Sequence, residues 1–264
     1  MAALDQHEGP RIEVTDGALL PTRKQARIIN SWRLTIAMAL LGILVMVFIA
    51  KDPFDKIFQV IIKGAPLTFG VTAGAILGSI VLGLFTGLGQ IARRRALNLV
   101  AGVYVELIRG IPLLVQLIFI YFALGKFFQL DGVPAAIIAL SICYGAYMGE
   151  IFRAGIQSIP KGQMEAALAL GLTRGQAMRF VILPQTMKIV LPAIGNEFIA
   201  MLKDSSLISV IALRDILRRG REHVARTFLS LETYAMVALV YLVITLILSK
   251  LVAMMEDRMK QHER

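Results

Sequence analysis

Hydrophobic residues in this chain come in long blocks rather than alternating with polar ones. Six nearly unbroken apolar stretches, at 34–50, 64–92, 97–125, 133–155, 185–212 and 233–249, are separated by short polar connections. A helix needs about 20 such residues to cross a bilayer. In lipid, a lone segment can satisfy its own backbone only as a helix. The pattern therefore predicts an all-α membrane protein with six transmembrane helices. One stretch breaks the pattern. Residues 165–184, EAALALGLTRGQAMRFVILP, are too polar to span and too ordered to be a linker. Pro160 suits a first helical position, and Ala166, Ala167 and Ala169 are strong helix formers. Gly171 can take the left-handed conformation that ends a helix. Thr173 and Gln176 fit a capping box for a second helix, and Pro184 forbids simple continuation of that helix's hydrogen bonding. The prediction is a helix–glycine–helix knuckle at one membrane face.

Charge then orients the spans. Arg23, Lys24, Arg27 and Arg33 precede the first, and Arg93, Arg94 and Arg95 follow the second. Positive residues concentrate on the cytoplasmic side. This places both chain ends, the Arg93–Arg95 cluster and the knuckle inside, and Trp32 at an interface. The 51–63 segment is then a short outer connection of mixed charge. The arginine-rich 213–232 loop also falls outside, against the positive-inside tendency, as an external amphipathic helix with Leu213, Ile216 and Leu217 toward the membrane domain. The organisation expected is a cytoplasmic tail at 1–31, a transmembrane domain at 32–256 carrying cytoplasmic coupling helices at 160–184, and a tail at 257–264.

Within the spans, small and polar residues stand out. Gly70, Gly74 and Gly78, then Gly83 and Gly87, make GxxxG spacings that let helices approach closely. Glu106 and Arg109 lie three apart and should neutralise each other, as should Glu150 and Arg153. Pro112 should kink or break the third span. The fifth span holds Asn196, Glu197, Lys203 and Asp204, with Glu197 and Asp204 on one face. Ionisable groups at membrane depth are functional candidates by default. Structural pairing is the competing reading, and it is favoured for Glu106–Arg109 and Glu150–Arg153. Tyr144 and Tyr147 read as packing.

Composition adds exclusions. Of 264 residues, 57% are hydrophobic and 17% charged, below the soluble norm of about 25%. The net charge of +10 follows from basic residues flanking apolar spans, so no nucleic-acid partner is inferred. The single cysteine, Cys143, allows no internal disulfide and reads as a packed thiol. No P-loop is present, so no route to ATP hydrolysis is visible. Neither is there a GxSxG, HExxH or CxxC, and no catalytic or metal-binding residues are assigned.

The knuckle resembles the EAA signature of permease subunits of bacterial ABC importers. Glu165-Ala166-Ala167 is followed by three residues, Gly171, nine residues, and Val181-Ile182-Leu183-Pro184. The signature has isoleucine where Val181 stands. VELIRGIPLLVQ, GEIFRAGIQSIPKGQ and LPAIGNEFIAMLKDSSLISVI narrow the resemblance to histidine/glutamine-type permeases for polar amino acids. It implies a type I importer domain, a five-helix core plus one extra N-terminal helix, in the bacterial inner membrane. It implies a second permease subunit, alike or related, an external solute-binding protein, and an ATPase dimer that carries ATP and Mg. No cofactor is expected on this chain. By the same resemblance Glu165, Ala166, Ala167, Gly171, Leu183 and Pro184 couple to the ATPase. A polar amino acid carries both an ammonium and a carboxylate, so Asn196, Glu197, Lys203 and Asp204, which offer both signs and an amide, are the candidates for the solute pathway, with structural pairing as the alternative. A permease for another solute, such as a betaine or an opine, and a channel or secondary carrier are the alternatives.

Overall fold

A computed structural model describes residues 31–128 and 132–261, and among these every regular element is helical. Helix α1 (Ser31–Leu44) runs on through a wide π-turn at Val45–Ala50. Then come α2 (Phe54–Ile62), α3 (Ala65–Gln90), α4 (Arg95–Gly110), α5 (Leu113–Phe128) and α6 (Gly132–Gln157). The knuckle is α7 (Lys161–Ala169) and α8 (Arg174–Ala177), followed by α9 (Leu183–Asp204). A 3-10 segment at Ser205–Ile211, α10 (Ile216–Thr227) and α11 (Ser230–Gln261) complete the chain. Among the described residues, five helical stretches are long and apolar enough to cross a membrane, and α4 with α5 makes a sixth if the bent pair is one span.

The core is built on the α3–α6 seam. At 26 residues each, these helices are about 39 Å long. Gly74, Gly78, Gly83 and Gly87 of α3 face Ile137, Ser141, Met148 and Phe152 of α6, whereas Gly70 faces open space. Having no Cβ, the four glycines bring the backbones close enough for dispersion contacts along the whole seam. Val190, Ile194 and Met201 of α9, with Leu117 and Ile120 of α5, close this core from the sides.

A second cluster caps one end. Ile57 and Ile61 of α2, Ile216 of α10, and Met236, Val237 and Val240 of α11 are buried together. Here the 51–63 connection is more than a polar link. Phe54, Ile57, Phe58 and Ile61 share one face at helical spacing, which charged neighbours obscured. Asp215 caps α10 by accepting from the Arg218 N–H at 2.7 Å. Gly64, at the start of α3, lies against the Asp215–Ile216 backbone. A third cluster, Ile156, Ile159 and Ile182 with Leu88 and Ile91, sits at the opposite end, under the knuckle. The arginine helix α10 and the knuckle therefore lie at opposite ends of α3. Trp32 donates to the Leu246 carbonyl at 3.0 Å, and Lys250 stacks over its ring, so Ser31 and Gln261 lie at the knuckle end.

Of the two outcomes expected at Pro112, a kink or a break, the structure has the break: α4 and α5 meet at 108°. Helix α11 runs on past residue 249 as far as Gln261.

Candidate coupling and pathway sites

The knuckle is closed by backbone chemistry. Pro160 stands just before α7 as its N-cap, not inside it. At the other end, the Leu172 N–H donates to Ala167 O at 3.1 Å and the Gly171 N–H to Leu168 O at 3.0 Å. This crossed pair is the Schellman closure, and it needs a left-handed residue. Gly171 supplies it at φ +83°. The capping box forms as well: Gln176 N–H donates to Thr173 Oγ1 at 3.3 Å, and Thr173 N–H to Gln176 Oε1 at 2.9 Å. At Pro184 regular α-helical hydrogen bonding is interrupted, but the chain stays helical. Met178–Ile182 widens into a π-turn, with Leu183 N–H donating to Met178 O. This redirects the carbonyls just where Pro184 has no N–H to give. Helix α8 thus continues into α9 as one rod.

The rod is seated. Ala167 and Ala177 are buried, and Ile182 belongs to the cluster under the knuckle, where Met164, Met178, Val181 and Leu183 pack against it. Gln185 donates to Val181 O at 3.0 Å and to Gln163 Oε1 at 3.3 Å. Of the residues assigned to coupling, Ala167 faces inward and Leu183 is half-buried, while Glu165, Ala166, Gly171 and Pro184 are exposed. Leu170, not singled out from the sequence, is 84% exposed at the tip. A large apolar side chain beside Glu165 and Ala166 offers a partner a hydrophobic anchor with an acidic rim.

The polar residues of the spans sort differently from expectation. Arg109 does not pair with Glu106. Its guanidinium lies 3.8 Å from Glu150 on α6 and stacks over the Tyr147 ring at 5.5 Å. The helix break turns the end of α4 toward α6, so spacing along α4 no longer selects the partner. Arg153 grips Glu150 at 2.7 and 3.2 Å, and Gln90 at the end of α3 donates to it at 2.7 Å. Three elements thus converge on one carboxylate.

On α9 the four candidates divide. Glu197 and Asp204 are half-buried, and Asn196 and Lys203 are exposed. Tyr144 donates its hydroxyl to Asp204 Oδ2 at 2.7 Å, so it does more than pack. The ring is buried, and a buried tyrosine O–H needs a partner, which Asp204 supplies. Sequence reasoning also passed over Gln90 and Gln116. Gln116 is 6% exposed, and an amide inside an apolar run is itself a signal, because a buried polar group needs partners.

With this geometry in place, comparison with known proteins defines the class. The chain belongs to the family of binding-protein-dependent transport system inner membrane components, whose sequence model matches residues 79–261. The glutamine transport system permease protein GlnP of Escherichia coli strain K12 is 42% identical over 203 residues, covering 76% of this chain and 93% of that protein. The arginine transport system permease protein ArtQ of Bacillus subtilis strain 168 is 38% identical over 205 residues, covering 77% and 94%. A chain from a crystal structure of an amino acid ABC transporter with histidines superposes with a TM-score of 0.71 at 42% identity, covering 80% of this chain and 98% of that one. The architecture is that of a type I ABC importer membrane domain, and α1 and α2 precede the family match.

Proposed function

We propose that this chain is one of two permease subunits of an ABC importer that carries a polar amino acid across the bacterial inner membrane. Homologues of this group are permease subunits, not enzymes, so ATP and Mg would be used by a separate ATPase pair docked on the two knuckles. The observation that carries the reading is the continuous α8–α9 rod behind a sealed α7. A push on Glu165, Ala166 and Leu170 cannot be absorbed in the turn at Gly171, since its carbonyls are already bonded. It passes into α9, and α9 carries Glu197 and Asp204. The solute-binding protein would approach from the α10 end, and both chain ends would lie in the cytoplasm.

The pathway reading follows from chemistry. A polar amino acid brings an ammonium and a carboxylate. Glu197 and Asp204 suit the first, and Arg109, Asn196 and Lys203 suit the second. Exposed polar residues at membrane depth are tolerated only against protein or water, so Asn196 and Lys203 would face the second permease subunit or the cavity between the two. Co-purification with the neighbouring ATPase and binding protein, followed by a screen of amino acids for ATPase stimulation, tests this. Stimulation by one or a few polar amino acids is expected. Uptake driven by an ion gradient without any ATPase would make the chain a secondary carrier instead.

A further inference from the structure

Pro112 has no N–H, so it cannot close the helical bond to the carbonyl four residues back, which is Ile108 O. In a membrane that carbonyl has no water to turn to. One turn into α5, the Gln116 amide folds back and donates to Ile108 O at 2.5 Å and to Ile111 O at 2.6 Å. Both amide hydrogens are used at the break. The amide oxygen accepts from the Cys143 Sγ–H of α6 at 3.0 Å. Turning the amide over would set its oxygen against two carbonyl oxygens, so the orientation is unambiguous. One buried side chain therefore ties the end of α4, the start of α5 and the middle of α6. Arg109 is the neighbour of Ile108, in the last turn of α4, and reaches Tyr147 and Glu150 from there.

We propose that Gln116 is a positioning residue: it stands in for the missing proline N–H, locks the α4–α5 elbow in its bent form, and so seats Arg109 against Tyr147 and Glu150. The role of Arg109 in the solute pathway rests on the import reading, whereas the lock itself does not. A purely structural amide would only satisfy a carbonyl. A positioning amide also fixes an angle, and the two separate experimentally. Gln116→Met keeps the side chain's length and removes both donors. Adding Pro112→Ala returns a backbone N–H to Ile108 O, which repairs the hydrogen bond but allows a straight helix.

The test uses the assembled transporter in nanodiscs, with its ATPase and binding protein, and three readouts. These are thermal unfolding, alkylation of Cys143 by N-ethylmaleimide, and ATPase activity against solute concentration. Cys143 is the chain's one cysteine and is fully buried, so its labelling rate reports whether α5 stays against α6. Gln116→Met is expected to lower the melting temperature by about 4 °C. Pro112→Ala/Gln116→Met is expected to regain that stability. In the double variant, however, Cys143 should label about tenfold faster, and the solute concentration for half-maximal ATPase should rise about tenfold with basal ATPase unchanged. Full recovery of labelling and solute response in the double variant would overturn the proposal. So would a Gln116→Met protein that melts and labels like the parent. Absence of any solute response in the parent would defeat the import reading alone, because melting and labelling still decide whether Gln116 sets the elbow.

Discussion

Gly83→Ala tests the seam on which the molecule is built. A Cβ on Gly83 would collide with the Met148 Cβ, stand 2.8 Å from the Met148 carbonyl carbon and 3.0 Å from the Gly149 nitrogen. None of these atoms is the free end of a side chain, so no rotamer change relieves the contact. Relief requires α3 and α6 to separate by roughly 1.5 Å at the Met148 Cβ, to reach an ordinary carbon–carbon distance of about 3.5–4 Å. Overpacking of this kind costs about 1–3 kcal/mol. Alanine's better helix propensity returns about 1 kcal/mol. Because the obstructing atoms are a Cβ and backbone, the upper end of that cost applies, and the net is a loss of about 2 kcal/mol, read as a fall of about 4–8 °C in melting temperature. Gly70→Ala is the matched control: nothing lies within 4 Å of its Cβ position, so it should hold or raise stability. Thermal unfolding of the two purified variants in detergent is the assay. A Gly83→Ala protein as stable as the parent, or a Gly70→Ala protein equally destabilised, would refute this account of the seam.

Three other outcomes follow from the geometry. Gly171→Asp meets no neighbour within 4 Å, so its cost is the positive φ alone, about 1 kcal/mol; the variant should insert and fold but lose ATP-coupled uptake, and unimpaired uptake would count against docking at the knuckle. Burial pushes the Asp215 carboxyl up to about 6 from its ordinary 3.8, against the pull of the Arg218 N–H and its other hydrogen-bond donors. Because the folded value is the higher one, its contribution is fully present below about pH 4 and is lost as pH rises through 6; the parent should melt several degrees higher at pH 5 than at pH 7.5, and Asp215→Asn should reduce that difference in a melting series. Glu197→Gln should change the apparent affinity for solute or the solute-stimulated ATPase of the assembled complex, while a purely structural Glu197 would leave both untouched.

The spans and the knuckle were legible because both are written in local signals. Long apolar blocks need no partner to be recognised, and the Thr173/Gln176 box and the glycine at 171 act within a few residues of themselves. What escaped depends on tertiary context. Helix α2 carries its apolar stripe at Phe54, Ile57, Phe58 and Ile61, but Asp52, Asp55, Lys56 and Lys63 lower its average hydropathy. The proline at 112 announced a break but not its 108° angle, which redirects Arg109 from Glu106 to Glu150. Pro184 signals that regular hydrogen bonding is interrupted, but not that a π-turn at Met178–Ile182 bridges the interruption. Tyr144 and Gln116 look like packing residues until α9 and the elbow are placed beside them.

If α7 transmits force from an ATPase to α9, as proposed, the contact at the knuckle must change with the nucleotide state of that partner. The most direct measurement is site-directed cross-linking from Ala166→Cys, an exposed position, in a Cys143→Ser background, to single cysteines placed in the partner ATPase within the assembled complex. The account predicts a cross-link whose yield changes between nucleotide-free and ATP-bound states, and whose formation stops ATP-driven uptake. A complex that co-purifies and transports normally, yet gives no cross-link from Ala166→Cys in either state, would contradict it.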